Sequence, residues 1–201
     1  MSDVVHATPV LIERGPPELQ ERNTWVGVRL LVSSTVFLFL PFVFGYLYLA
    51  SLNTSRLWKP AGVKGPLGWG LAIMLTLVAS AGLAAWARAE LARGRERASR
   101  WLALVALAVG IASLVLQGFE YARLGFGPAD GGFASVFAGW TGVFALTVLG
   151  AMVWLEMILA AAFRNGSRAP GSSQADLDAV GFYLTFLAGL GALMFAFLYL
   201  L

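Results

Sequence analysis

Five long apolar runs, separated by short stretches that hold nearly all of the charge, set the pattern of this chain. Each run is about 20 residues or more, the length that carries an α-helix across a hydrocarbon layer about 30 Å thick. The pattern predicts spans over about 26–52, 66–89, 99–124, 133–163 and 179–201. The expected fold is therefore all-α, a polytopic transmembrane bundle of five helices over 25–201, preceded by a polar tail over 1–24. Pro41 should kink the first span, with hydroxyls or neighbouring helices satisfying the freed carbonyl. The second span is rich in small residues (Gly70, Ala79, Ala81, Gly82, Ala84, Ala85), which let a neighbouring backbone approach closely. The fourth exceeds the crossing length and is expected to tilt or protrude. Ser173, three residues ahead of Asp176 and with Asp178 close behind, reads as the start signal of the fifth, which ends in Phe195, Phe197 and Tyr199 at a membrane boundary.

Basic residues fix the expected orientation. With the N-terminus in the cytoplasm, that side holds Arg14, Arg22, Arg29, Arg88, Arg93, Arg95, Arg97, Arg100, Arg164 and Arg168, ten of the fourteen Lys and Arg residues. Arg56, Lys59, Lys64 and Arg123 fall on the other side, so the bias places the N-terminus in the cytoplasm and the C-terminus in the periplasm. The dense turn of Arg88, Arg93, Arg95, Arg97 and Arg100 reads first as a topology determinant and second as a set of candidate contacts for anionic lipid headgroups. The tail contains Asp3 and is followed by a run too long for a secretory signal core.

Composition narrows the function. Of 201 residues, 59% are hydrophobic and only 12% charged, which leaves no room for a soluble catalytic domain. There is no cysteine, and His6, in the polar tail, is the only histidine. Imidazole ligation of haem or copper inside the membrane needs several histidines at that depth, so this chain does not itself hold such centres. The formal charge of +3 lies in loops without interleaved aromatics, which speaks against nucleic-acid binding. No internal repeat points to a transporter built on inverted halves.

Few polar side chains interrupt the spans. Gln117, Glu120 and Tyr121 are spaced to share one helix face, which should turn toward protein or the headgroup boundary. The plain reading of Glu120 is a carboxyl near the outer interface bonded to Gln117 or a loop amide; the sharper one is proton handling. Arg29 and Glu156 differ in expected depth by only about 6 Å, so a structural ion pair is the default, with snorkelling or a contact to another subunit as alternatives. The seven tryptophans read mainly as interface anchors and packing.

Leu116 to Tyr121, the loop Gly127-Pro128-Ala129-Asp130-Gly131-Gly132, then Ala134-Ser135-Val136-Phe137 and Thr141-Gly142 together resemble the haem-copper oxidase subunit III family. The resemblance covers about fifty residues in order and spacing, on the family's Gln-x-x-Glu-Tyr helix end, brief Asp-Gly loop, Gly-Ser-x-Phe helix start, where this chain has Ala134 for the Gly, and Thr-Gly pair. Elsewhere Gly27 matches, but Arg29 stands where the family has Trp, and Thr35 where it has an acid. Phe144 and Thr147 replace two histidines, and Tyr183, Leu184 and Leu187 replace a Trp-His pair and an Asp. The resemblance implies the five-helix bacterial form, in the inner membrane, of an accessory subunit that packs against catalytic subunit I and other oxidase subunits. It also implies ordered phospholipid, no catalytic or cofactor-binding residue in this chain, and haem and copper in the partner. A small membrane transporter or channel, and the related accessory protein of nitric oxide reduction, are the alternatives.

Overall fold

The computed structural model describes residues 17–52, 58–60, 62–165 and 170–201. They form α1 (Pro17–Ser51), α2 (Leu67–Ala92), α3 (Glu96–Arg123), α4 (Gly132–Asn165) and α5 (Pro170–Phe195), which continues into a π-helical turn over Ala196–Leu200. Among the described residues there is no strand, and five helices are long and apolar enough to cross a membrane. A helix satisfies its own backbone, which is why such a chain can cross lipid only in this form.

Two boundaries differ from the sequence expectation. Residues 17–24, assigned to the polar tail, are the first turns of α1; residues 1–16 lie outside the described residues. Hydropathy cannot find this extension because tertiary contacts hold it: Trp25 packs edge-on against Phe182, and Thr24 Oγ1 donates to Asp176 Oδ1 at 3.5 Å. Helix α5 begins at Pro170, so Ser173 lies inside its first turn rather than ahead of it. Proline is favoured at a first helical position because it has no N–H to leave unpaired there. Pro41 sits inside a continuous α1.

Helix α5 is the centre of the bundle, packing against α1, α2 and α4, with Val180, Leu184 and Leu187 fully buried. Helices α2 and α3 form a tight antiparallel pair. Ala81, Ala84 and Ala87 of α2 and Ala103 and Ala106 of α3 are all buried, and Ser80 Oγ donates across the seam to Ala106 O at 2.7 Å. Lipid offers no hydrophobic drive between helices, so small residues earn contact by letting the backbones close up. Gly110 extends the seam to α4: an added Cβ there would run into Met152 Sδ and come within 3.0 Å of Ser80 Oγ.

The connections lie at two ends. At one end the α2–α3 turn passes through Gly94, whose φ of +74° suits glycine, and Arg95 N donates to Glu90 O at 2.9 Å. At the opposite end, Gly127 N donates to Asp130 Oδ2 at 2.6 Å and Ser135 Oγ to Pro128 O at 2.6 Å, closing the α3–α4 loop. There Phe133 N also donates to Trp58 O at 2.9 Å, and Lys59 Nζ lies 4.4 Å from the Phe133 ring centroid, pinning the α1–α2 connection onto α4.

Gly110→Val should destabilise the chain by about 1–3 kcal/mol, the cost of forcing extra carbon into a filled seam. Gly82→Ala, where nothing lies within 4 Å of an added Cβ, should change little. Thermal unfolding of both variants in one detergent checks the contrast.

Candidate functional site

Glu120, three residues before the end of α3, is fully buried. Gln117 Nε2 donates to its Oε2 at 3.1 Å, one turn away on the same helix. The hydroxyl of Tyr199 donates to Oε1 at 2.7 Å. Both carboxyl oxygens therefore have a donor, while no ion pair to Glu120 is present among the described residues. A carboxyl in such a place depends on those donors, because hydrogen bonds to a buried charged or polar group replace the water it has lost.

Tyr199 reaches Glu120 from the π-helical turn at the end of α5, where Leu201 N donates to Ala196 O, five residues back, at 3.2 Å. Such a wider turn changes the direction of the side chains within it and is common at functional positions. The ring stacks on Phe195 at 5.3 Å between centroids and meets Phe137 edge-on at 5.5 Å. The ring also fits because two glycines stand beside it, Gly65 just ahead of α2 and Gly70 in its first turn: a Cβ on Gly65 would lie 3.0 Å from the ring, and one on Gly70 would penetrate it. The sequence reading missed Tyr199 by treating it as an interface aromatic. Its depth was the available signal, since the ends of α3 and α5 meet at the same end of the bundle.

Tyr121, grouped with Gln117 and Glu120 by spacing, bonds elsewhere. Its hydroxyl lies 2.6 Å from Thr141 Oγ1, and Thr141 gives its own proton to Phe137 O at 2.6 Å. Thr141 has one proton, so Tyr121 is the donor in that pair. The same logic applies deeper in the bundle, where Thr35 Oγ1 donates to Leu31 O at 2.8 Å and so accepts from Tyr183 OH at 3.1 Å. This buried hydroxyl pair ties α1 to α5.

The charged residues at the opposite end separate into distinct contacts. Arg88 turns inward against Gly181, and its Nη1 donates to Asp178 O at 3.4 Å. Buried Glu90 accepts from Arg93 at 2.7 Å and from Arg95 at 3.1 Å. Arg100 pairs with Glu96 at 3.1 Å, and Arg97 makes no ion pair among the described residues. Four of the five arginines of this turn thus have partners within the chain, in three separate contacts.

Arg29 and Glu156 are not brought together. Both are exposed, and no ion pair joins them among the described residues. Arg29 lies about 33 Å along α1 from Ser51, and Glu156 about 36 Å along α4 from Gly132. Both distances exceed the roughly 30 Å of a hydrocarbon core, and a long side chain at such a level can extend its polar end toward water. Among the described residues no group of three or more His, Cys, Asp or Glu side chains could hold a metal ion.

A family model described as cytochrome c oxidase subunit III matches residues 19–199. The chain is 29% identical over 136 residues to cytochrome c oxidase subunit 3 of Pylaiella littoralis, covering 65% of this chain and 50% of that protein. It is 29% identical over 138 residues to the protein of that name from Oncorhynchus mykiss, covering 66% and 53%. To that of Ornithorhynchus anatinus it is 30% identical over 137 residues, covering 66% and 52%. The chain thus spans about half the length of these curated relatives.

Tyr199→Phe should cost about 1–3 kcal/mol by leaving Glu120 Oε1 without a donor. Glu120→Gln, which retains an acceptor for Tyr199, should cost less than Glu120→Ala. Thermal unfolding of the three variants orders them. For Arg29→Gln and Glu156→Gln the effects should be additive, and a double-mutant cycle tests that independence.

Proposed function

The chain belongs to the cytochrome c oxidase subunit III family, and we propose from this that it is a non-catalytic accessory subunit of a respiratory terminal oxidase. It is a multi-pass membrane protein, and the proposed setting is a bacterial inner membrane with the N-terminus in the cytoplasm and the C-terminus in the periplasm. The observation that carries the reading is the family match over nearly the whole described bundle. The hydrogen bonding agrees with it: Gln117 and Tyr199 bond to Glu120, Tyr121 to Thr141 and Tyr183 to Thr35, and the two threonines donate to backbone carbonyls. That closure favours a scaffold over a transporter or channel, which needs polar groups facing a path.

The proposed partners are the catalytic subunit I, other oxidase subunits and phospholipid. Haem and copper belong to that partner in this reading. The donor set supports it: the sequence has no cysteine, its one histidine is His6, and no described carboxylates cluster as ligands. The chain's work is packing. Helix α1 is the least buried of the five, and its outward Phe37, Phe44 and Tyr48 offer apolar area to lipid or to neighbouring subunits. Thr35, bonded to Tyr183, has no ionisable group, so it puts no charge into the interior between α1 and α5.

Mild detergent extraction of the native membrane should co-elute this chain with a haem-containing enzyme, while the isolated chain should show no haem or copper absorption. Elution as a lone homo-oligomer, or stoichiometric metal on the isolated chain, would overturn the assignment. Deleting the chain should leave the first turnovers of the partner enzyme nearly normal and speed its inactivation during sustained turnover. Glu120→Gln should change steady-state proton uptake little; a severalfold fall in an assembled complex would place Glu120 on a proton route instead.

A further inference from the structure

We propose that Tyr199 is a redox-active residue: a one-electron oxidant acting at this end of the bundle draws its electron from the phenol while the phenolic proton passes to Glu120. The tyrosyl radical so formed is the resting place of a stray oxidising equivalent, of the kind that a radical oxygen species or a high-valent metal complex delivers. The hydroxyl of Tyr199 donates to Glu120 Oε1 at 2.7 Å, and Gln117 Nε2 donates to Oε2 at 3.1 Å. Both carboxyl oxygens act as acceptors, the arrangement of an ionised carboxyl. The inference goes beyond the accessory-subunit reading and uses only residues of this chain.

Atoms and charge balance within the pair. Tyr199 gives one electron to the oxidant, which is reduced by one; the phenolic O–H bond breaks, an O–H bond forms on Glu120 Oε1, and a neutral phenoxyl then faces a neutral carboxylic acid. The electron leaves a site that held one negative charge, so the step creates no unsolvated charge in a low-dielectric interior. Other buried aromatic residues lack this outlet. Trp140 is fully buried and its Nε1 has no acceptor among the described residues, so removing an electron there leaves a cation with nowhere to send its proton. Tyr121 and Tyr183 donate to the hydroxyls of Thr141 and Thr35, whose oxygens are far weaker bases than a carboxylate.

The surroundings give the oxidising equivalent a way in and the radical a lifetime. The rings of Trp58 and Tyr46 meet at 5.1 Å between centroids, and both meet Phe133, at 5.8 and 6.5 Å. Phe133 in turn meets Phe137 at 6.0 Å, and Phe137 meets Tyr199 at 5.5 Å. Two oxidisable rings are thus joined to Tyr199 through two phenylalanines in continuous contact, and Trp58, partly exposed, is the point of entry. The phenoxyl oxygen faces a fully buried carboxyl, which keeps solutes away from it, and the chain has no cysteine whose thiol could quench it.

The test uses the full chain in detergent, a photogenerated ruthenium(III) polypyridyl complex as oxidant, and freeze-quenching for electron paramagnetic resonance. A long-lived tyrosyl signal should form, recognised by its narrowing on ring-deuterated tyrosine, and should vanish in Tyr199→Phe while Tyr121→Phe retains it. Glu120→Gln, whose amide oxygen accepts the hydrogen bond but not the proton, should lower the yield severalfold. A second readout needs no variant and so does not depend on any variant folding. In the unaltered chain, infrared difference spectra should show a protonated carboxyl band that rises with the radical and shifts on isotopic labelling of the glutamate carboxyls. Absence of a tyrosyl signal in the unaltered chain, its persistence in Tyr199→Phe, its equal loss in Tyr121→Phe, an undiminished yield in Glu120→Gln, or a radical that rises without the carboxyl band would overturn the proposal. None of these results bears on co-purification with a haem protein, so this inference and the oxidase assignment fail separately.

Discussion

A carboxyl enclosed by apolar helices, with no cation in ion-pairing range among the described residues, is the constraint on which one end of this bundle depends. Glu120 needs a donor on each oxygen, and Gln117 can supply only one from its own helix. The second comes from Tyr199, and that requirement propagates. The end of α5 widens into a π-turn, Gly65 just ahead of α2 and Gly70 in its first turn seat the ring, and Phe137 and Phe195 close around it. Four elements are thus held by one buried group, in the way that a fully satisfied polar network specifies a unique packing.

The two ends of the molecule answer the problem of polarity differently. At the Glu120 end, polar groups bond inward and are sealed by aromatic rings. At the opposite end, most of the charge stands at or beyond the membrane boundary and is shared among short ion pairs, headgroup level and solvent. Glu90 is the exception, a buried carboxylate at the turn between α2 and α3, compensated by two arginines that follow within five residues. Outward-facing charge on Arg29 and Glu156 carries no such requirement, because a long side chain near the boundary reaches water by itself.

The five-helix architecture was legible in the sequence because the length of an apolar run is a direct consequence of the thickness it must cross. The Gln117–Glu120 bond was legible as well, since helical spacing brings residues three apart together. What escaped were relations between segments distant in sequence. Tyr199 looks like any aromatic at a helix end until α5 is placed beside α3. The first turns of α1 look like a polar tail until Trp25 and Thr24 meet α5. The Arg29–Glu156 expectation used depth alone; depth says which residues share a level, but not whether they face each other or need a partner there.

Tyr199 lies 79 positions beyond Glu120 in the chain. At a translation rate of about 5–20 residues per second, roughly 4–16 s separate the synthesis of the carboxyl from that of the hydroxyl that completes its bonding. During this interval α3 can pair with α2, and Gln117 can serve one carboxyl oxygen, but the other waits for a helix not yet made. The bundle is thereby completed in an order imposed by the ribosome: the early helical hairpin arrives with one polar bond outstanding, and the last turn of α5 is the part that closes it.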